Sequence, residues 1–580
     1  MKVKQINIIF LILACSCITG YSQTITSEKP TAQYFNNPIL SGMNPDPSIC
    51  RAGDDYYLVT STFGFYPGIP VYHSRDLVNW QLIGYGIHRP SQLNTKANER
   101  LNIFAATIRY NNGVFYIIST QTGKGGDRNF VITATNPAGP WSDAHCIPKA
   151  ERIDPSLFFD DDGKVYYTGN DIPKHPVAEK ERMIWMQEMD IENWKLTGEK
   201  VEVIQCSDYY RGLILTGQNS DYLNNFEGPH LYKKDGIYYL LVSHGGTSWG
   251  HAVSIWKSDK VFGPYEMYEK NPIVTHRDYP HNVSIHHTGH ADLVQTQNNE
   301  WWMVLLGSRP YGGEYTNLGR ETFLVPVDWS GKWPVVNPNG PAGRVLDTHL
   351  KPNLPAHTWP KEERRDEFKD KKLKLCWNFI QTPVEQWWKL DKPDGCLRIY
   401  LRPEVITERV NPSFIGRRLA HKNFTSIAKM TFTPKVENEC AGLIITRDVS
   451  NQFQVVCTAK EGHKLIQLIR KEVINENGEL RNEKNETIDG KNAETLLAEK
   501  RVTSSTLFLK MEAREQMFSF SFSENDTNWV KLADEVDGRM LSFGLGIGKY
   551  TGTYVGMYAS SNGKESKNSA LFDWFEYEGF

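Results

Sequence analysis

The sequence predicts an all-β protein in which a five-bladed β-propeller is followed by a β-sandwich. Aromatic residues make up 12% of the 580 residues, and 45 Gly and 30 Pro indicate many turns, a mixture that favours strands over a helical bundle. A turn followed by paired aromatic residues recurs five times in the first part of the chain. The last third has a different pattern, in which polar and apolar residues alternate.

Charge and hydropathy exclude several classes of function. With 65 basic and 68 acidic side chains the net charge is −3, so neither a nucleic-acid footprint nor a charged tail is indicated. No apolar run in the sequence reaches the roughly 18 residues that a membrane-spanning helix needs. The nine cysteines include no Cys-x-x-Cys pair, so zinc sites of the usual spacing are not predicted, while a single Cys376–Cys396 bridge stays open.

Residues 1–22 have the pattern of a secretory signal peptide. Two lysines precede a short apolar stretch, and the small residues Gly20 and Ser22 favour cleavage before Gln23. We therefore expect the mature protein in the periplasm or outside the cell. The alternative is a lipid anchor on Cys15, although the residues before it match that signal poorly.

Five repeated segments predict the blades. Each contains a turn, two aromatic residues and an apolar run, and the second aromatic recurs at spacings of 59, 51, 72 and 63 residues. These second aromatics are Tyr57, Tyr116, Tyr167, Tyr239 and Trp302. A further aromatic follows each after 23 to 27 residues, at Trp80, Trp141, Trp194, Tyr265 and Trp329. Because one small sheet cannot bury both faces alone, five such units predict a propeller over residues 36–345, in which blade packs on blade.

A propeller brings the first strand of every blade to one axis, so equivalent residues in those strands converge. The residues 10 to 13 positions before the second aromatics are Asp46, Ala106, Asp154, Glu227 and His290. Carboxylates gathered at one equivalent position repel each other, and core packing gives no reason to collect three of them. We therefore interpret Asp46, Asp154 and Glu227 as catalytic.

Carboxyl groups arranged in this way suit the hydrolysis of a glycosidic bond. One carboxyl protonates the leaving oxygen and must hold a proton near neutral pH, which burial and neighbouring negative charge favour. The other activates water or attacks the sugar. Blades on opposite sides of an axis leave room for that water, which favours inversion, where the two carboxyls stand about 6.5–9.5 Å apart.

The motifs around these residues resemble those of glycoside hydrolase family 43. They occur in the family's order and are Asn44-Pro45-Asp46-Pro47-Ser48-Ile49, Ile153-Asp154-Pro155-Ser156-Leu157, Glu227-Gly228-Pro229-His230, Gly289-His290-Ala291-Asp292 and Gly319-Arg320-Glu321-Thr322. The resemblance covers residues 36–580 and implies a five-bladed propeller and inverting hydrolysis. By motif it implies Asp46 as general base, Glu227 as general acid and Asp154 as the residue that modulates the acid's pKa.

The same resemblance implies a sugar-binding pocket. His290 would lie on the axis beneath the sugar, Arg320 would contact it, and Phe63 and Thr247 would line the pocket. Phe104 stands where similar enzymes often have Trp, so a smaller aromatic wall is expected there. No cofactor is required, but similar enzymes sometimes hold a cation at the histidine, so Ca²⁺ near His290 is an open expectation.

Enzymes with this layout are α-L-arabinofuranosidases or β-D-xylosidases, which both remove a terminal pentose. Segments such as Arg89-Pro90-Ser91-Gln92-Leu93 and Gly250-His251-Ala252-Val253 look more like the branch rich in arabinofuranosidases. The expected substrates are therefore arabinofuranosyl branches on oligosaccharides of xyloglucan or arabinoxylan. A β-xylosidase acting on xylo-oligosaccharides is the alternative. A sugar-binding propeller without catalysis is a remote one, because it has no need for three carboxylates.

The final part of the chain predicts a second domain. Prolines and a charged run indicate a linker at 346–365. In residues 366–580, strict alternation predicts a half-buried strand at Met517–Ser523, and further strands are expected at 442–445, 507–511 and 571–575. We interpret this part as a β-sandwich, similar to the concanavalin-like domain of β-xylosidase-type relatives, which packs on the propeller and can lend a loop to the pocket rim. Independent polysaccharide binding and structural support are both open interpretations.

Overall fold

The structure is a computed structural model that describes residues 33–93, 102–123, 128–177, 181–215, 225–391, 395–408, 410–448, 451–472, 493–542 and 550–580. The predicted signal peptide at 1–22 and Cys15 lie outside these residues. The all-β class is confirmed, since the described helical segments are only α1 (Cys206–Leu215), kinked at Tyr210, and 3₁₀ turns at Pro90–Leu93, Ile406–Glu408 and Arg539–Leu541. Among the described residues, no helix has the length and apolar character needed to cross a membrane.

Five antiparallel sheets occupy residues 48–336. After β1 (Tyr34–Asn36), the first sheet contains β2 (Ser48–Ala52), β3 (Asp55–Val59), β5 (Gly68–Ser74) and β6 (Gln81–Ile87), while β4 (Phe65–Tyr66) pairs elsewhere. The second contains β7 (Asn102–Asn111), β8 (Val114–Thr122), β9 (Arg128–Ala134) and β10 (His145–Cys146). The third contains β11 (Ser156–Phe159), β12 (Val165–Asp171), β13 (Met183–Asp190) and β14 (Lys195–Gln205).

The last two sheets complete a ring. The fourth contains β15 (Glu227–Lys234), β16 (Ile237–His244), β17 (Ala252–Ser258), β18 (Glu266–Met267) and β19 (Val274–Thr275). The fifth contains β20 (His286–Gln295), β21 (Trp301–Ser308), β22 (Glu321–Asp328) and β23 (Val335–Val336), and β24 (Thr348–Leu350) pairs with β1. The first strands β2, β7, β11, β15 and β20 contact one another in a closed cycle, as the innermost strands of a propeller do.

The repeated turns and aromatics occupy equivalent places in these sheets. All five predicted turns join the first strand of a sheet to the second. The five later aromatics all lie between the third strand and the fourth. In the turn between β7 and β8, Asn112 and Gly113 have φ angles of 48° and 83°, the left-handed pair that a tight two-residue hairpin requires.

The hydrophobic core of this region is divided among the gaps between neighbouring sheets. Five buried clusters each combine apolar residues from two adjacent sheets. One cluster joins Val59 of the first sheet to Ile117 of the second, and another joins Leu58 of the first to Val304 of the fifth. The closing pair therefore packs in the same way as the others, which explains why no sheet could be stable alone.

The C-terminal part forms two stacked sheets. One contains, in spatial order, β29 (Ser413–Arg418), β38 (Tyr554–Ser560), β31 (Cys440–Thr446), β32 (Gln452–Lys460), β33 (His463–Glu472) and β34 (Ala493–Arg501). The other contains β27 (Trp388–Asp391), β28 (Cys396–Tyr400), β39 (Ser569–Gly579), β30 (Asn423–Thr431), β35 (Thr506–Arg514), β36 (Met517–Ser523) and β37 (Val530–Asp537), with β25 (Arg365–Asp366) beside β39. The strand predicted from strict alternation has the bounds of β36.

The two parts of the chain are joined by a shared strand pair and a shared core. β26 (Phe379–Ile380) pairs with β4 of the first blade. A buried cluster contains Phe63 and Phe65 from the propeller together with Phe414 and Tyr554 from the sandwich. Cys376 is a thiol, so the Cys376–Cys396 bridge considered above is not formed.

Candidate active site

The three predicted site residues Asp46, Asp154 and His290, which occupy equivalent blade positions, share an uncommon backbone conformation. Asp46, Asp154 and His290 have φ angles of 54°, 58° and 47°, in the left-handed region that residues with side chains rarely adopt. Asp46 and Asp154 each lie two residues before an inner strand, and His290 lies at an irregularity within β20. Strain of this kind costs about 1–3 kcal/mol per residue and clusters at functional sites. It therefore marks one equivalent position in three blades.

Glu227 enters the site differently, as the first residue of β15. It is half-buried, and the strand pairing is shifted between Glu227 and His230. The next residue, Gly228, has a φ of 57°, and a Cβ atom there would lie only 3.0 Å from Nε2 of His290. Glycine thus allows the His290 ring to approach this strand. The fifth equivalent residue, Ala106, is buried in β7 and carries no polar side chain.

Both carboxylate oxygens of Asp46 accept a short hydrogen bond. Arg320 Nη1 donates to Oδ1 at 2.6 Å, and Ser61 Oγ donates to Oδ2 at 2.6 Å. His290 Nδ1 lies 3.7 Å from Oδ1. Burial alone would raise the pKa of Asp46, but the charge of Arg320, with His290 and Ser61, lowers it below its usual value. Asp46 is therefore a carboxylate held ionised on the axis.

Asp154 and Glu227 lie close to each other and to His290. One ligand atom from each of these three residues falls within 4.8 Å of the other two. Burial, and then the negative charges of Glu227 and Asp46, raise the pKa of Asp154 well above its usual value. Because like charges repel, a charged Glu227 opposes the ionisation of Asp154 beside it. Burial lowers the pKa of His290, which leaves its imidazole neutral.

Arg320 connects the axis to the rim of the site. It is 3% exposed, and besides Asp46 its Nη1 donates to Thr247 Oγ1 at 3.2 Å. Its Nη2 donates to the backbone oxygen of Tyr550, also at 3.2 Å. The guanidinium lies 5.3 Å from the ring centre of Phe63 and 5.7 Å from that of Tyr550. The predicted residues Phe63, Thr247 and Arg320 are therefore neighbours.

Three aromatic rings form a continuous wall beside Arg320. Phe63 and Phe104 meet edge to face with ring centres 5.2 Å apart. Phe63 and Tyr550 are stacked at 5.8 Å. Phe63 also has a left-handed backbone, with a φ of 49°. The structure thus brings together all eight predicted site residues and adds Tyr550 from the sandwich.

The sandwich also supports the segment that leads to Arg320. Asn317 Nδ2 donates to the backbone oxygen of Gly538 at 3.0 Å, and the backbone nitrogen of Thr316 donates to Ser542 Oγ at 2.8 Å. A Cβ atom at Gly319 would lie 2.7 Å from Cα of Gly552, so glycine permits this close approach of the two segments. The position of Arg320 therefore depends on both domains.

Sequence reasoning missed Ser61 and Tyr550. Ser61 precedes the predicted pocket residue Phe63 by two positions, but a lone serine gives no signal of a bond to Asp46. Tyr550 lies in a part of the chain without repeats, where no second copy marks an equivalent position.

The arrangement combines the parts that acid–base hydrolysis requires. Asp46 is ionised, the Asp154–Glu227 pair favours retention of a proton, and a buried cation stands between Asp46 and an aromatic wall. The three atoms from Asp154, Glu227 and His290 could also hold a cation, since carboxylates and neutral imidazole are suitable ligands.

Models of known protein families match both parts of the chain. Residues 35–334 match the family model described as glycosyl hydrolases family 43. Residues 365–578 match the model described as a β-xylosidase C-terminal concanavalin A-like domain.

Similar full-length proteins are known. The chain is 39% identical over 550 residues to the non-reducing end α-L-arabinofuranosidase BoGH43B of Bacteroides ovatus, with 94% of each chain covered. It is 38% identical over 549 residues to a xylosidase/arabinosidase of Butyrivibrio fibrisolvens, covering 94% of this chain and 99% of the relative. The solved structure titled "Bacteroides ovatus Xyloglucan PUL GH43B" superposes with a TM-score of 0.82 at 36% identity, covering 94% of this chain and 100% of that one.

Proposed function

The chain belongs to glycoside hydrolase family 43, and from this premise we propose that it is an exo-acting, inverting α-L-arabinofuranosidase. Its substrates are terminal non-reducing arabinofuranosyl residues on xyloglucan or arabinoxylan oligosaccharides. The observation that carries the proposal is the set of carboxyls around His290, of which Asp46 is held ionised while Asp154 resists ionisation. The similarity to an arabinofuranosidase, and to a structure whose title names xyloglucan, supports this choice of sugar and polymer.

Asp46 acts as the general base. It accepts a proton from the water that attacks the anomeric carbon, which requires the ionised form that Arg320 and Ser61 favour. Both of these donors hold the carboxylate in one orientation, so its remaining lone pairs face a fixed direction. The left-handed backbone of Asp46 contributes to the same placement.

Glu227 acts as the general acid, and Asp154 modulates it. Glu227 is the half-buried member of the pair and Asp154 the buried one, so Glu227 is the group that substrate reaches more readily. Because the two carboxyls repel each other when both are charged, the pair retains one proton. When that proton lies on Glu227, Glu227 donates it to the leaving oxygen, and Asp154 carries the negative charge that favours this arrangement.

The sugar is held by residues around Arg320. The guanidinium donates charge-assisted hydrogen bonds to sugar hydroxyls, and Thr247 and His290 supply further polar contacts. Phe63, Phe104 and Tyr550 close one side with their rings. Exo action requires a site that is closed beyond one terminal sugar, and we propose that this wall from two domains provides the closed end.

A β-D-xylosidase is the second candidate. The similarity to a xylosidase/arabinosidase favours it, and a terminal xylose resembles a terminal arabinofuranose in shape. A sugar-binding propeller without catalysis remains the least supported, since ionised Asp46 beside Arg320 and the Asp154–Glu227 pair serve no purpose in binding alone.

The reaction as proposed requires no cofactor. A Ca²⁺ would be held by His290 with Asp154 and Glu227, whose atoms have suitable spacing. Such an ion would keep its carboxylate ligands ionised and so oppose the proton that Glu227 must donate. We therefore expect the active enzyme to work without this ion, so that a chelator leaves the rate unchanged. We further propose that the mature protein acts in the periplasm or outside the cell.

One experiment tests the whole proposal. The protein is given an aryl α-L-arabinofuranoside and an aryl β-D-xyloside in parallel, and the first-formed sugar anomer is followed by NMR. A higher kcat/KM on the arabinofuranoside with release of the inverted β-anomer is expected. Faster turnover of the xyloside favours the second candidate, retention of configuration contradicts the roles of Asp46 and Glu227, and inactivity on both substrates contradicts the function.

A further inference from the structure

A second set of polar side chains lies on the inner strands next to the carboxyl groups. It comprises Ser48, Arg109, Ser156, His230, Tyr232 and Asp292, which we call the polar layer. Three members follow a site residue by two positions along the chain. The pairs are Asp46 with Ser48, Asp154 with Ser156 and His290 with Asp292. Every inner strand contributes at least one member.

Asp292 is the centre of the polar layer and is fully buried. Its Oδ2 accepts hydrogen bonds from Ser48 Oγ at 2.6 Å and from Arg109 Nη1 at 2.8 Å. Its Oδ1 accepts one from the Tyr232 hydroxyl at 2.6 Å. Burial would raise the pKa of Asp292, but Arg109 and these hydrogen bonds lower it, so the carboxylate is charged. One side chain thus ties the fifth blade to the first, second and fourth.

Arg109 extends the connection to the remaining blade. Its Nη2 lies 2.9 Å from His230 Nδ1, and Ser156 Oγ lies 3.2 Å from the same nitrogen. Burial lowers the pKa of His230 to about 3, so the ring is neutral, and Nδ1 accepts from the guanidinium that faces it. Ser156 belongs to the third blade, and the connected set therefore includes all five.

Backbone pairing does little to connect the inner strands. In the described ranges each inner strand pairs with the second strand of its own sheet, and the bridge between Phe63 of the first blade and Ile103 of β7 is the additional backbone link between an inner strand and a neighbouring blade. The lateral spacing of the inner strands, and hence of the carboxyls beside them, is therefore set mainly by side chains. Most of those side chains are apolar and non-directional, whereas hydrogen bonds and ion pairs fix distance and angle.

We propose that the polar layer is a positioning device, in which Arg109 and Asp292 hold the five inner strands at the spacing that Asp46 and Glu227 need for catalysis. The members are positioning residues, acting through their neighbours rather than on the sugar. The proposal rests on the roles assigned above to Asp46 and Glu227.

The protein contains a matched control at a distance from these carboxyls. Asp160, which follows β11, is buried and accepts from Lys233 Nζ and from the Tyr238 hydroxyl, both at 2.6 Å. It therefore joins two blades through the same groups as Asp292, a cation and a tyrosine. Asp160 lies four residues after Ser156, toward the other end of the inner strand. A purely structural role predicts equal consequences for both aspartates.

The test compares Asp292→Asn and Arg109→Lys with Asp160→Asn in the full-length protein. Lysine at 109 keeps a positive charge beside Asp292, so this variant should fold. It cannot also reach His230, so it breaks the connection to that residue. We expect kcat to fall about 10- to 100-fold in both layer variants, as for small misplacements of catalytic groups, with KM changed less than threefold. Asp160→Asn should lower the melting temperature and leave kcat within twofold.

Two further readouts separate positioning from folding. The limbs of the pH profile of kcat/KM should move in Arg109→Lys, because the distances that couple Asp46 and Glu227 change, and stay in place in Asp160→Asn. Crystal structures should show the Asp46–Glu227 separation altered by about 0.5 Å or more in Arg109→Lys only. The proposal is overturned if the layer variants keep the wild-type kcat and an unshifted pH profile. It is also overturned if the Asp46–Glu227 separation in Arg109→Lys is unaltered. If the wild-type protein is inactive on both glycosides, the proposed function is wrong instead. The Asp46–Glu227 separation in the crystal structures then still tests whether the polar layer is a positioning device.

Discussion

The propeller and the sandwich contribute to one site in different ways. The propeller supplies the ionisable groups from equivalent positions in successive blades, and three of these positions share a left-handed backbone. The sandwich supplies one ring and one backbone oxygen, both from Tyr550. Symmetry thus gathers the groups that perform the chemistry, whereas a single non-repeated segment completes the surface that selects the sugar.

Arg320 is the residue at which the two contributions meet. One of its terminal nitrogens binds Asp46 and the other binds the backbone of Tyr550. Its own position is held by contacts from Asn317 and Gly319 to the sandwich. The sandwich therefore influences the electrostatics of the base as well as the shape of the wall. This favours structural support over independent sugar binding as its main role.

The largest effects should come from the propeller carboxyls, and they should differ in kind. Asp46→Asn removes the group that activates water, so we expect a loss of about 10²- to 10⁴-fold on every substrate. Glu227→Gln should lose as much on natural oligosaccharides and less on aryl glycosides with good leaving groups, which need little protonation. The measurement is kcat/KM across aryl glycosides of graded leaving-group pKa. The same leaving-group dependence in both variants would show that the acid and base are assigned wrongly.

Arg320 tests whether the two regions are coupled electrically. Arg320→Met removes a positive charge that lowers the pKa of Asp46, so that pKa rises. Because the base must be ionised, the acidic limb of kcat/KM should move to higher pH, by about one to two units. The rate at the optimum should fall about 10²- to 10³-fold. Arg320→Lys is the control, since it keeps the charge and should leave the limb near its wild-type position. If the acidic limb does not move in Arg320→Met, Arg320 does not control the pKa of Asp46, and the two regions are not electrostatically coupled.

These two regions also differ in what the sequence could predict. Asp46, Asp154, Glu227 and His290 were found because the blade pattern recurs, which turns distant positions into neighbours. Arg320 and Thr247 came only from the resemblance to a family. The polar layer left a visible trace, because a polar residue follows two positions after three of the site residues, yet spacing alone cannot show hydrogen bonds between blades.

The contribution of the sandwich could not be predicted residue by residue. Alternation predicted β36 because one face of that strand is buried, and this depends only on local periodicity. Tyr550 acts through tertiary contacts with Phe63 and Arg320, which lie more than 200 positions away in the chain. Such contacts leave no periodic signal.

Tyr550 should have an intermediate effect, confined to binding. Tyr550→Ala removes the stacked ring from the wall while the backbone oxygen that Arg320 binds remains, so we expect transition-state binding to weaken by about 1–3 kcal/mol. The loss should appear mainly in KM, and the pH profile should not move. Tyr550→Phe keeps the ring and should retain the stacking on Phe63. A large fall in kcat with a shifted acidic limb would mean that the segment also fixes Arg320 through its side chain.

Phe104 should have the smallest effect and the most informative one about the sugar. Its ring packs edge to face on Phe63 and lies in β7, the blade whose equivalent position holds Ala106 instead of an ionisable residue. This blade therefore contributes shape rather than charge.

A tryptophan there would fill more of the space beside the sugar. We expect this to hinder a furanose with a branched neighbour more than a pyranose. We expect Phe104→Trp to lower kcat/KM for arabinofuranosides more than for xylosides, with a difference toward the lower end of about 1–3 kcal/mol. Equal losses on both substrates would leave Phe104 as packing for Phe63, and a gain on arabinofuranosides would contradict the size argument altogether.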